Sequence, residues 1–243
     1  NHYQAPDDPS CDFAELLNRV SAVNGVRRIR FASPHPRHAS DRLIEVLRTN
    51  PVVCKHFHLP VQSGSNRILK AMRRRYTRED YLALVGRLRE AVPEISISTD
   101  MIVGFPGETD EDFEDTLSLV RAAGFQFMYS FKYSPRPNTL ADKRMADDVL
   151  EAEKTRRIVA LQTLQAGIQR DIHERMVGTT HEVLVEGASR RRDWELSGRT
   201  SGWAVVNFAG AQDLVGQLVP VRIVAAAPNS LRGELVAGGG RAD

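Results

Sequence analysis

Four times along this chain an apolar run ends in a cluster of Gly, Pro, Ser or Gln, and a helical pattern follows. The clusters are SPHP at 33–36, PVQSGS at 60–65, VGFPGET at 103–109 and YSPRPNT at 133–139. Strands that run parallel need a crossover between them, usually a helix, and the loops leaving their ends gather on one side. Chemistry collects in such loops because rigid strands position them. The repetition predicts an α/β fold of four βα units, part of a barrel, with one pocket shared among the four loops.

The elements between the clusters can be assigned in turn. Residues 10–22 read as a helix with Phe13, Leu16, Leu17 and Val20 at helical spacing, stopped by Gly25. Arg28 to Ala32 alternates as a strand. Ser40 caps a helix with Leu43, Ile44 and Leu47 on its apolar side, and Pro51 closes that unit. His56 to Val61 is the second strand, and Ser65 to Met72 a short helix. Thr77 and Thr109 each open a capping-box pattern, T-R-E-D and T-D-E-D, before a clean apolar stripe. Ile95 to Val103 and Phe125 to Tyr133 are the third and fourth strands, and Gly124 ends the helix between them.

The pattern changes after residue 140. Asp147 to Met176 carries Ile158, Leu161, Leu164, Ile168 and Ile172 three or four apart, which predicts one amphipathic helix along the barrel flank. From 180 onward the period drops to two, in HEVLVEG, WELSGRT, WAVVNFAG, LVPVRIVAAAP and LRGELV. Five short strands predict a small antiparallel β-barrel of OB-like character. The expected domains are 1–146 for the barrel portion, 147–175 for the linker helix, 176–237 for the small barrel and 238–243 for a disordered tail, with the boundary within 174–178.

A formal charge of +2 over 243 residues neither demands nor excludes a nucleic-acid partner. No apolar run approaches the roughly 20 residues of a membrane span, and no signal peptide is visible. Two cysteines, Cys11 and Cys54, are too few and too far apart for a disulfide framework or a metal knuckle, so a reduced, cytoplasmic setting is expected. The first residue is Asn rather than Met, which reads as a chain whose start lies upstream.

HFHLPVQSGSNRILKAMRRRYT at 56–77 and ISTDMIVGFPGETDEDF at 97–113 resemble the radical SAM methylthiotransferases, most closely the type that modifies tRNA. SPRPNT resembles that family's SPRPGT, with Asn138 in place of Gly. EGASRRRDWELSGRT and PNSLRGE resemble its TRAM domain, an RNA-binding β-barrel. NHY at 1–3 is similar to the end of a family segment that follows the second barrel strand. The resemblance implies S-adenosyl-L-methionine and two [4Fe-4S] clusters in the full-length family, but Cys11 and Cys54 match no ligand position, so no metal ligand and no catalytic residue is assigned here. It further implies a radical reaction that adds a methylthio group to C2 of isopentenyl-adenosine 37, next to the anticodon, with this portion expected to be inactive alone. Its partner would be the tRNA anticodon stem-loop, with no membrane and a monomeric protein. Two alternatives stand beside it: action on threonylcarbamoyl-adenosine, and a non-catalytic RNA-binding remnant.

Each motif then has a candidate role. The resemblance implies that Gln62, Ser63 and Gly64 face the cofactor, as do Ile102, Val103 and Gly104 through their backbone, and Tyr133 is a stacking candidate. Arg74 and Arg136 are expected to meet substrate or RNA. In the small barrel, Arg190, Arg191, Arg192, Arg199, Trp203 and Arg232 combine guanidinium groups for phosphate with rings for unpaired bases, as single-stranded or loop RNA requires. Trp194 and Phe208 belong to the same surface or to the core. His56 and His58, two apart on one strand, share a face and read as barrel-interior or packing histidines. Tyr76 is a further stacking candidate, and Glu108 serves the start of its helix.

Overall fold

The structure, a computed structural model, describes residues 3–32, 35–189 and 192–236. It divides into two compact units, Asn1–Gln165 and Ala166–Asp243.

The first unit opens with a small antiparallel pair, β1 (Gln4–Ala5) and β2 (Asp8–Asp12), that leads into α1 (Phe13–Ser21). Asp12 caps α1 by accepting from the Glu15 amide at 2.9 Å, so the helix starts three residues later than its apolar pattern suggested. The expected strand at Arg28–Ala32 is a single parallel bridge, Ile29 with Val53. One bridge gives the backbone two hydrogen bonds, Ile29 N to Val52 O and Cys54 N to Ile29 O. That is too little to make a ladder. Ser40 caps α2 (Asp41–Thr49) as expected.

Three parallel strands carry the unit in the order β3 (His56–His58), β4 (Ser96–Val103), β5 (Phe127–Lys132). The second strand stops short of Val61 because Pro60 has no amide to give, and the Val61 amide donates to Thr99 Oγ1 at 3.0 Å instead of to backbone. Pairing resumes at Gln62, bridged to Met101. Helices α3 (Asn66–Ala71), α4 (Arg78–Ala91) and α5 (Asp110–Ala123) lie in the connections. Thr77 with Asp80 and Thr109 with Asp112 close both capping boxes in full, and Gly124 ends α5 at φ +53°. Alternation divides the sheet cleanly. Phe57, Ile97, Thr99, Met101 and Val103 are buried. By the register, His56, His58, Ser98, Asp100, Ile102, Tyr129 and Phe131 share the other face, where Tyr129 and Phe131 stand half exposed.

After β5 come a short helix that sequence patterning did not indicate, α6 (Leu140–Arg144), and the long α7 (Glu151–Met176). The division between units falls inside α7. Gln165 still binds Phe125 O of the first unit at 2.8 Å. His173 meets Ala227 O of the second at 3.2 Å, and Met176 packs against that unit's core.

The second unit is a closed five-stranded barrel, order β10-β8-β7-β6-β9, from β6 (Thr180–Ser189), β7 (Arg192–Thr200), β8 (Val205–Ala209), β9 (Leu218–Ala227) and β10 (Ser230–Leu235). The expectation of an antiparallel barrel needs one correction: β8 and β10 pair in parallel. An odd ring of strands cannot alternate direction all the way round, so one parallel seam is forced. Val183, Val185, Leu196, Val206, Phe208, Val221, Ile223 and Leu231 fill the interior. Gly198 lets β7 approach Leu184 so closely that a Cβ would overlap its carbonyl. Arg190, Arg191, the SPHP residues Ser33 and Pro34, and the 238–243 tail lie outside the described residues.

Asp112 ties the helix starts of the first unit together. It accepts from Ser65 Oγ, the cap of α3, at 2.6 Å, from the Thr109 amide at 2.8 Å, and from Arg67. Burial alone would raise its carboxyl, but the bonds from Arg67, Ser65 and Thr109 outweigh that and hold it well below the usual aspartate range. Because the folded value is depressed, this stabilisation is full above the ordinary aspartate value and fades as pH falls through the folded one. Asp112→Asn is expected to cost about 1–3 kcal/mol at neutral pH, with the gap to the parent narrowing in acid, read by urea denaturation across a pH series.

Candidate functional site: a cavity at the strand ends

A cavity of about 690 Å³ lies at the C-terminal ends of the three strands. It gathers residues from all three loops of the parallel sheet: Gln62 after β3, Asp100 and Ile102 at the end of β4, and Tyr133 and Arg136 after β5, with Arg74 from the segment beyond α3. The rest of its wall includes Phe105, Phe131 and the start of α6. Carboxylate, amide, guanidinium and aromatic groups therefore converge on one concave space, as small-molecule sites require.

The loop at 60–65 is braced from beneath. Tyr81 Oη donates to Leu59 O at 2.7 Å, and Tyr76 Oη donates to Val61 O at 3.0 Å. Tyr76 is therefore a buried strut rather than a stacking ring, and burial pushes its phenol up to about 12. Gln62 is held at φ +78°, a conformation non-glycine residues seldom adopt and one that recurs at functional sites. Ser63 and Gly64 are not among the cavity-lining residues. Ser63 is buried and accepts from the Ser65 amide, and the Gly64 amide donates to Thr116 Oγ1 at 3.0 Å. A Cβ at Gly64 would overlap the backbone of α5 at Thr116, so this glycine permits helix packing.

The loop at 103–109 is held from the other side by the first turns of α7. Ile102 reaches the cavity wall, whereas Val103 is fully buried and Gly104 sits at φ +70° over Lys154. Glu108 does more than start a helix. Its carboxylate accepts from the Gly104 amide at 2.6 Å and from Arg157 at 2.9 Å, with burial pushing the carboxyl up against those bonds. Lys154, almost wholly buried, reaches Asp147 at 2.6 Å and lies 5.5 Å from the centre of the Tyr133 ring. Tyr133 packs edge-on against Phe105 at 5.1 Å. Burial, then Asp147 and Asp142, raises its phenol.

Sequence reading missed Asp100, Phe131 and Arg73 as cavity residues. The signal was available for the first two: Asp100 with Ile102 and Phe131 with Tyr133 are each two apart at a strand end, hence on one face. It also missed α6, whose Thr139 caps Asp142 in the same three-residue spacing seen at Thr77 and Thr109. Thr139 and Leu140 line the cavity.

In the second unit Trp194 is 61% exposed, while Phe208 is core. The Arg192 guanidinium lies 5.3 Å from the centre of the Trp194 ring, and Arg199 lies 4.5 Å from that of Trp203. Glu195, itself buried, accepts from both Arg192 at 3.1 Å and Arg232 at 2.8 Å. One carboxylate thus fixes two half-exposed arginines beside an open aromatic ring. Arg199 pairs with Glu186.

Residues 4–120 match the radical SAM superfamily and residues 174–236 match the TRAM domain. The chain thus has the make-up of a radical SAM enzyme with a TRAM domain behind it. Three similar curated relatives are tRNA-2-methylthio-N(6)-dimethylallyladenosine synthases. That of Methylococcus capsulatus is 51% identical over 95% of this chain and 50% of its own length. That of Alkalilimnicola ehrlichii is 49% identical over 97% and 53%, and that of Yersinia pseudotuberculosis 48% identical over 95% and 48%. The chain belongs to the radical SAM methylthiotransferase family. It spans about half the length of the curated relatives it matches. Among solved structures, coproporphyrinogen III oxidase of Escherichia coli, a radical SAM enzyme, matches 82% of this chain and 49% of its own at 15% identity and TM-score 0.48, too loose a likeness to argue from.

Asn138 stands at φ +70°, which explains why Asn is accepted where the resembling motif has Gly. Asn138→Gly is expected to leave stability unchanged or slightly raised. Asn138→Val should cost roughly 1–2 kcal/mol in chemical denaturation.

Proposed function

We propose that this chain is the C-terminal portion of a tRNA methylthiotransferase that adds a methylthio group to C2 of isopentenyl-adenosine 37, and that its cavity binds S-adenosyl-L-methionine beside the target base. The observation that carries the reading is the convergence of Gln62, Arg74, Asp100, Tyr133 and Arg136 on one cavity in a chain of this family.

The donor set fits that cofactor. S-adenosylmethionine presents a carboxylate, a ribose diol, an adenine and a sulfonium, and the cavity offers two guanidinium groups, an amide, a carboxylate and aromatic rings. When bound and reduced by a cluster, it supplies the radical that activates the base. Arg74 and Arg136 neutralise anionic groups of cofactor or RNA, Gln62 orients a polar edge, and Tyr133, Phe131 and Phe105 give rings and exclude water from the reacting carbon. The clusters are a different case. Cys11 and Cys54 are both buried, and no step through a cluster is assigned to this chain. The portion alone is expected to be inactive.

The TRAM barrel holds the tRNA anticodon arm. Arg192, Arg199 and Arg232 meet phosphate, and Trp194 and Trp203 offer ring faces to unpaired bases. No helix among the described residues is long and apolar enough to cross a membrane. The proposed enzyme is a monomer that works on tRNA in the cytoplasm.

The test uses the protein at the length of its curated relatives, expressed in a strain lacking its own methylthiotransferase, with tRNA nucleosides analysed by mass spectrometry. Methylthiolated isopentenyl-adenosine is the expected product. Methylthiolated threonylcarbamoyl-adenosine would transfer the protein to the other substrate, and tRNA binding without either product would leave an RNA-binding remnant. Gln62→Ala and Arg74→Ala should each lower kcat/KM by roughly 10–100-fold. Arg232→Ala should weaken tRNA binding and reduce the slope of log affinity against log salt by about 1.

A further inference from the structure

Behind Asp100, on the same sheet face, runs a line of polar groups that the cavity does not use directly. Ser98 Oγ lies 2.9 Å from His56 Nε2 and 2.8 Å from His58 Nδ1. His58 Nε2 in turn faces Asp100 Oδ1 across 3.4 Å, and the Tyr129 ring stands edge-on to His58 at 6.0 Å. The parallel register makes the line: His58 sits opposite Ser98, and Asp100 opposite Tyr129. It runs from buried His56 to Asp100 at the cavity wall.

A serine hydroxyl has one proton. Between two neutral imidazoles it donates to one nitrogen and accepts from the other. At the far end, a carboxylate oxygen of Asp100 accepts, so His58 Nε2 carries a proton and its Nδ1 is bare. Ser98 then donates to His58 Nδ1 and accepts from His56 Nε2–H. Burial, with Arg30 and His58 nearby, pushes His56 down to about 3, so it stays neutral as the scheme requires. The order of donors along the line is set from the Asp100 end.

We propose that His56, Ser98 and His58 form a hydrogen-bonded relay that holds the Asp100 carboxylate oriented as the acceptor for a hydroxyl or amino group of the cavity's ligand, with His58 as its positioning residue. The proposal rests on the cavity being the cofactor pocket. Its chemical content is specific: Asp100 recognises a neutral or cationic donor, not an anion, while Arg74 and Arg136 serve the anionic end of the ligand.

The first arm uses the 243-residue chain with histidine nitrogens labelled, observed by NMR at about pH 8.5, above the ordinary histidine range. His56 and His58 should both appear as the Nε2–H tautomer. Asp100→Leu should shift both toward the other tautomer, and adding Ser98→Ala should free His56 from that response. A His58 with bare Nε2, or tautomers indifferent to Asp100, overturns the relay. The second arm uses the protein at its relatives' length. His58→Phe should raise KM for S-adenosylmethionine about tenfold with kcat within about threefold of the parent, and His58→Gln, which keeps a donor near the Nε2 position, should recover most of it. A Gln variant as impaired as the Phe variant overturns the positioning role. If Gln62→Ala also leaves KM unchanged, the pocket assignment falls. If it raises KM while the tautomers ignore Asp100, the pocket stands and the relay alone is rejected.

Discussion

The first unit depends on one buried carboxylate. Asp112 belongs to the capping box of α5, yet it also receives the hydroxyl that caps α3 and the guanidinium of Arg67. The loops 60–65 and 103–109 both end at helix starts, where backbone amides would otherwise lack partners. By serving both starts at once, Asp112 fixes the spacing of the two loops that bring Gln62 and Phe105 to the cavity wall. A lysine or arginine could not replace it, because the groups it meets are all donors.

From that anchor the division of labour follows by parity. Along β4, odd-numbered residues are buried and even-numbered ones are turned to the other face. The same strand therefore supplies Ile97, Met101 and Val103 to the core and Ser98, Asp100 and Ile102 to the face that carries the histidines and the cavity wall. Polar residues on a strand with no hydrophobic alternation partner are costly unless paired. Here the pairing is supplied by histidines from β3 and by an open cavity.

Much of the fold could be read from the chain. Both capping boxes, the Ser40 and Ser65 caps, the helix end at Gly124 and the five-strand count of the small barrel follow from local chemistry: a side-chain oxygen three residues ahead of its amide, or a glycine at positive φ. The parts that escaped are the non-local ones. Nothing adjacent in sequence announces that Ile29 finds only one bridging partner, or that β8 and β10 must run parallel. The cavity residues divided the same way. Gln62, Ile102, Tyr133 and Arg136 lie on or beside turn clusters and were accessible to inspection, whereas Ser63 and Gly64 share the first of these clusters but answer to the helix packed behind them at Thr116. Lys154 and Arg157 were hidden inside a long polar helix, where burial depends on a loop some fifty residues earlier.

That last pair bears on where the enzyme unit really stops. The stretch recognisable as radical SAM ends at residue 120, yet the turn at Gly104 leans on Lys154, and Glu108 closes on Arg157. Loop and helix are one inheritance. A side chain at position 104 would run into the stem of Lys154, so the two positions constrain one another. Any exchange of parts between related enzymes that cuts after the last recognisable motif would deliver the loop without the helix it is moulded on.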